Sequence, residues 1–301
     1  MELWIPLTIG AAFFQNIRSA LQKHLSGKLS TLGAAYVRFL YALPIALIYL
    51  SGLAVYTQAP LPDTNPQFLL YAFLGGICQI LFTVFLLWLF SFRNFAVGTT
   101  LSKLETIAVA IFGLLLLGDT LTSTVVVAIS VSALGLVILN IGQSSLSTAN
   151  ALAGLGQKST LIGLGCAAWL GLSVVLFRAA ALSLRHDQFL IAAAFTLFIV
   201  LVIQTLVMGI CLALRDFEEF RKVFIYWRPA CLVGISGGVA SIGWFSAFTL
   251  QNASYVRALG QIELVFTFIV TLFWFREKVG RAEVLGIALI MGSIIILLLG
   301  G

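Results

Sequence analysis

Two stretches decide how this chain is read: Leu104–Leu121, LETIAVAIFGLLLLGDTL, and Ile262–Val279, IELVFTFIVTLFWFREKV. In each the second residue is a glutamate, Glu105 or Glu263. A long apolar run follows, and a second acid, Asp119 or Glu277, stands near its far end. The two glutamates are 158 positions apart (263 − 105). At the same offset Asn94 falls on Asn252, Leu101 on Leu259, Ile111 on Ile269, Leu114 on Leu272 and Asp119 on Glu277. Apolar matches are cheap in a chain of this kind. Acidic matches are not, because its 301 residues include only 11 Asp and Glu. The pattern predicts an internal duplication.

The surrounding sequence sets the environment. Hydrophobic residues make up 61% of the chain and charged residues 9%, with a mean hydropathy of +1.10. A soluble domain carries about 25% charged residues, so this chain has too few to cover a surface facing water. A helix needs roughly 20 apolar residues to cross a bilayer. Ten segments meet that need: 3–22, 32–52, 67–91, 95–117, 122–141, 159–181, 188–213, 229–250, 254–275 and 282–300. The fold class expected is therefore an all-α integral membrane protein with ten transmembrane helices. The Ser-, Ala- and Gly-rich stretch 142–158 reads as a flexible linker, dividing a first five-helix repeat, 1–141, from a second, 159–301. An odd number of spans per repeat makes the two repeats inverted, an arrangement typical of secondary transporters. The apolar N-terminal stretch reads as the first span rather than a signal peptide. Residues 215–228 read as a strongly charged loop.

Basic residues in short loops orient a membrane protein. The loops after odd-numbered segments hold Lys23, Lys28, Arg93, Lys158, Arg215, Arg221, Lys222, Arg228, Arg276, Lys278 and Arg281. The opposite side has Arg178, Arg185 and Arg257, all near segment ends. The bias places both termini outside the cytoplasm of a multi-pass protein of the cell membrane, plasma or bacterial inner. A net charge of +6 fits basic cytoplasmic loops. No basic run with interleaved aromatics of the kind a nucleic-acid groove needs is present. The four cysteines lie in apolar stretches without metal-ligand spacing and read as small buried hydrophobes. No metal site, cofactor motif or catalytic constellation is visible, so an enzyme is not expected.

Charges at bilayer depth are costly and usually face a partner or a wet cavity. Glu105 and Glu263 lie deep in their segments and are the leading candidates for proton coupling. Desolvation favours the neutral form of a buried carboxylate, which suits such a group to proton exchange. Arg18, Arg38 and Lys103 are candidates to hold a carboxylate or phosphate; in the alternative, Arg18 or Arg38 pairs with Glu105 or Glu263 and only pins helices together. Helical spacing adds a stripe of Gln15, Arg18, Ser19 and Gln22 on the first segment. Gln79 with Thr83, and Trp169 with Ser173, share faces further on. Gln15, Gln22, Gln79, Trp169 and Trp244 complete the candidate polar and aromatic cavity lining.

These residues resemble the drug/metabolite transporter superfamily in its ten-helix EamA-type branch. The likeness is carried by Ala11–Lys23 (AAFFQNIRSALQK), Ala34–Pro44 (AAYVRFLYALP) with the helix-2 arginine at Arg38, the two opening stretches, and Gly286–Leu299 (GIALIMGSIIILLL). The resemblance implies a central cavity formed mainly by helices 1, 3, 4, 6, 8 and 9. It also implies transport of amino acids, drugs or other small metabolites by alternating access. Many relatives carry cytoplasmic termini, opposite to the charge bias here. Thr106 and Leu264 stand where the family commonly has proline, so the usual proline kink has no residue to carry it. The partners expected are a small-molecule substrate and the lipid bilayer, with no nucleic acid and no cofactor. An alternative is a flippase for a lipid-linked carrier, with Arg93 and Arg257 as headgroup ligands. A non-transporting membrane scaffold is the third reading.

Overall fold

The computed structural model describes residues 2–25, 27–89, 103–143, 158–273 and 280–300. Among them every regular element is a helix. In chain order these are α1 (Trp4–Leu25), α2 (Thr31–Leu40), α3 (Leu43–Thr57), α4 (Pro66–Leu89), α5 (Glu105–Leu117), α6 (Ser123–Gln143), α7 (Lys158–Ser183), α8 (Phe189–Arg215), α9 (Phe217–Ile225), α10 (Trp227–Leu250), α11 (Ala253–Gly260), α12 (Ile262–Phe273) and α13 (Arg281–Gly300). Helix stands at each of the ten apolar segments. Six stretches are long and apolar enough to cross a membrane: α2–α3 together, α4, α7 from Leu161, α8, α10 and α13 to Leu299. The protein is an all-helical integral membrane protein. Its outward faces agree, with Ile48, Val55, Leu115, Leu214 and Leu299 all more than two-thirds exposed. Water would not tolerate so much apolar surface on a monomer, whereas lipid requires it.

Four features depart from the sequence reading. Residues 215–228 are not a loop: Asp216 accepts from Glu219 N at 2.9 Å and starts α9, an amphipathic helix of nine residues. The second segment is divided at Tyr41–Ala42, because Pro44 has no N–H to give the preceding turn and suits the first turn of α3 instead. The ninth segment is divided at Gln261, between α11 and α12. Cys78 and Cys166 are buried as expected, but Cys211 is exposed on α8. Most of the linker, 144–157, lies outside the described residues, as do Arg93, Asn94, Leu101, Arg276, Glu277 and Lys278.

The chain forms two compact units that do not follow the sequence halves. Residues 1–84 with 173–251 make one, and 85–172 with 252–301 the other. In the first unit α10 packs against α1, α2, α3 and α8. It does so through glycines. A Cβ on Gly243 would lie 2.9 Å from Leu7 O, one on Gly234 2.3 Å from Tyr41 Cβ, and one on Gly238 3.0 Å from Ile45 Cβ. Lipid provides no hydrophobic drive between helices, so close backbone approach and dispersion must supply it. Beside them α9 is tied to α2. Buried Glu219 accepts from Ser30 N and pairs with Lys222 at 3.3 Å, while Tyr41 Oη donates to Val223 O at 3.1 Å. In the second unit the same device joins α6 to α13, where a Cβ on Gly135 would meet Gly286 O at 2.8 Å. Gly118, with φ +67°, closes α5 in the left-handed conformation that favours glycine.

Candidate functional site

The second unit holds a four-charge cluster. Lys103 forms an ion pair with Glu263, and Arg257 forms one with Glu105. Each pair crosses the duplication, joining the α5 region to α11 or α12. The charges sum to zero. Arg257 and Glu105 are sealed, with side-chain exposures of 5% and 6%. Lys103 and Glu263 are more open, at 29% and 10%. Glu263 also acts electrostatically on Arg257.

The local backbone explains the placement. Lys103 and Leu104 form a turn, and Ile107 N bonds back three residues to Leu104 O at 3.0 Å. The matching break falls at Gln261, where Leu264 N bonds back three residues to Gln261 O at 3.0 Å. Lys103 and Gln261 are themselves 158 positions apart (261 − 103). The break at Gln261 forms without proline. Each of the two leaves its glutamate in the first turn of a helix, where the unpaired N–H groups favour negative charge. Buried Gln261 steadies the junction by donating to Thr106 Oγ1 at 2.8 Å and to Lys103 O at 3.3 Å. Trp169 is half-buried on α7 in this unit. A groove of about 260 Å³ on α5 and α6, lined by Ile107, Ala110, Ile111, Leu114 and Val126, contains none of the candidate side chains.

The first unit holds the other candidates. Gln15 on α1 accepts from Trp244 Nε1 on α10 at 2.9 Å. Gln22 donates to Ala34 O at 2.8 Å, bridging α1 to α2. Arg18 is buried, its stem lying against Gly237 of α10. Arg38 is buried and donates through Nη1 to Thr83 Oγ1 on α4 at 2.8 Å. Thr83 in turn donates to Gln79 O at 2.8 Å, and Gln79 Oε1 accepts from Gln204 Nε2 of α8 at 2.8 Å. Arg18, Arg38, Gln15, Gln22, Gln79 and Trp244 therefore lie in one unit, and Glu105, Glu263, Lys103 and Trp169 in the other.

Three participants lie outside the candidate cavity lining. Arg257, a headgroup ligand in the flippase reading, is instead buried against Glu105. Gln261 carried a signal, its 158-residue match to Lys103. Gln204 carried another, as the lone amide in the 27-residue apolar α8. Arg93, the other headgroup candidate, lies outside the described residues.

Comparison with known proteins gives a family match over the first part of the chain. Residues 2–141 match the model of the EamA-like transporter family. No curated protein matches the chain. Twenty-eight chains of solved structures do. One of these, described only as the crystal structure of a protein, is 15% identical with a TM-score of 0.70, over 98% of this chain and 96% of that one. At that identity the likeness concerns the fold alone.

Proposed function

We propose that the chain, whose residues 2–141 match the model of the EamA-like transporter family, is a secondary transporter moving a small polar metabolite across the cell membrane by alternating access. Charged groups within the spans of a membrane protein mark substrate or ion pathways by default. The crossed ion pairs carry this reading, because each joins a residue of one sequence repeat to a residue of the other. Movement of α5 against α11 and α12 within their unit would strain or exchange them, which couples the state of the charges to the conformation.

The two pairs have different parts in this proposal. Proton exchange requires water to reach the carboxylate. Glu263, beside the partly exposed Lys103, meets that need better than Glu105, which is enclosed with Arg257. Glu263 is therefore the coupling group and Glu105 a pinning group. Protonation of Glu263 would release Lys103, and a released ammonium offers a second charge to the solute.

Metabolite profiles of cells with and without the protein should differ in a small set of polar solutes. In proteoliposomes, a pH gradient should drive flux of that solute, and Glu263→Gln should abolish the pH-driven part while retaining counterflow. Unchanged profiles would sink the transporter reading. Full pH-driven flux in Glu263→Gln would sink the coupling role alone.

A further inference from the structure

α8 ends at Arg215 and α10 begins at Trp227. Both are long and apolar enough to cross a membrane, so the nine-residue α9 between them lies at the membrane's edge. A helix of that length spans about 14 Å, too short to cross. Val223 and Glu219 are its buried residues, so the protein-facing side carries a carboxylate. Helical spacing puts Phe217 and Phe224 together on the other side, with Ile225 beside them. These three are between 47% and 65% exposed, and Trp227 just beyond is exposed as well. The larger apolar side chains therefore point away from the protein, as they do on a helix seated in the headgroup boundary. Basic groups converge on the same edge. Glu219 accepts from Ser30 N, and Tyr41 Oη donates to Val223 O at 3.1 Å, which fixes α9 against α2 and the turn before it. Beside that tie Lys28 Nζ lies 5.8 Å from the ring centre of Tyr226. The Arg228 guanidinium lies 5.6 Å from that of Trp227. A ring face attracts a cation without neutralising it. Arg221 and Lys222 pair one turn back with Glu218 at 3.2 Å and Glu219 at 3.3 Å. Lys28, Arg215, Arg221, Lys222 and Arg228 are all exposed, against the exposed acids Asp216 and Glu218.

We infer that α9, with Lys28 and Arg228 at its rim, is an interfacial helix that binds net-negative phospholipid headgroups in preference to zwitterionic ones. Phe217, Phe224 and Ile225 enter the acyl boundary. The Tyr226 and Trp227 rings sit at headgroup level, where an apolar ring with one polar tip is favoured. The long stems of Lys28 and Arg228 carry their charges out to the phosphates. A phosphatidylglycerol offers an uncompensated phosphodiester, whereas the choline of phosphatidylcholine offsets its own phosphate. Charge complementarity therefore selects the anionic lipid, and the outward apolar face selects a membrane surface over free phosphate. Arg221 and Lys222 contribute less, since each leans on a carboxylate of its own helix. This lipid site goes beyond the transporter reading and holds whether or not the chain moves a solute.

The full chain is placed in phosphatidylcholine nanodiscs containing phosphatidylglycerol, with bromine on the acyl chains of one lipid or of the other. Bromine quenches tryptophan at contact, and subtracting the signal of Trp227→Phe isolates Trp227. A basic residue near an anionic surface contributes a factor of about five. Brominated phosphatidylglycerol should therefore quench Trp227 on the order of tenfold more per molecule than brominated phosphatidylcholine at low salt, and the ratio should fall as salt is added. Lys28→Gln/Arg228→Gln should bring the ratio close to one. Arg228→Lys keeps the charge and should keep the ratio. Arg185→Gln, at an exposed arginine outside this edge, should match the wild type. If the double variant does not give a monodisperse protein, the single variants and the salt series carry the same comparison. Equal quenching by the two lipids in the wild type would overturn the inference, and so would a ratio that survives the loss of Lys28 and Arg228. Quenching by neither lipid would remove α9 from the interface and overturn it as well; two chains per disc by mass photometry would then give this face to a second copy.

Discussion

Replacing Arg257 by glutamine leaves Glu105 charged in a site where its side chain is only 6% exposed. Removing one partner of a buried ion pair costs about 3–5 kcal/mol, because the remaining charge is neither solvated nor paired. The first turn of α5 recovers part of this, on the order of 1 kcal/mol, through its unpaired N–H groups. A net loss of roughly 2–4 kcal/mol follows. Lys103→Gln should cost far less. Its own side chain is 29% exposed, and Glu263 keeps the nearby charge of Arg257. Lys103 is less enclosed than Arg257, so its removal leaves less charge both buried and unpaired. At a few degrees per kcal/mol, Arg257→Gln should lower the melting temperature in nanodiscs by roughly 10 °C, and Lys103→Gln by a few degrees at most. The double variant Glu105→Gln/Arg257→Gln removes both charges and should recover most of the loss. The assay is a double-mutant cycle read by tryptophan fluorescence melting. Equal shifts for Arg257→Gln and Lys103→Gln, or a double variant no better than Arg257→Gln alone, would show that the sealed pair does not hold this unit together.

Two further outcomes follow from particular residues. Gly234→Ala places a methyl 2.3 Å from Tyr41 Cβ and 2.4 Å from its backbone carbon, so it should destabilise by about 1–3 kcal/mol or more and lower the yield of monodisperse protein. Gly10→Ala meets nothing within 4 Å in the middle of α1 and should stabilise by about 0.5–1 kcal/mol, a contrast that melting curves of the two variants will check. A phosphatase fused after Gly301 should be active and a fluorescent protein fused there dark, as the basic bias of the odd loops requires; the opposite result would reverse the orientation.

The helices and their places were legible because hydrocarbon makes spanning a local property. With no water to bond to, each crossing segment must satisfy its backbone within itself and present apolar side chains over some 20 residues. A run such as Phe189–Arg215 is therefore readable without its neighbours. The buried charges were legible for a related reason, since each stands out against the 61% hydrophobic background. What each charge pairs with was not legible. Glu105 meets Arg257 and Glu263 meets Lys103 only because α5 packs on α11, a choice made between faces far apart in the chain. The break at Gln261 was hidden as well, since no proline marks it and its stability comes from the distant Thr106 hydroxyl. Sequence alone determined that this chain crosses a bilayer as helices and carries buried charges. Tertiary packing decided which of those charges cancel, because an ion pair depends on distance in space, and that distance is set by which small residues let two backbones approach.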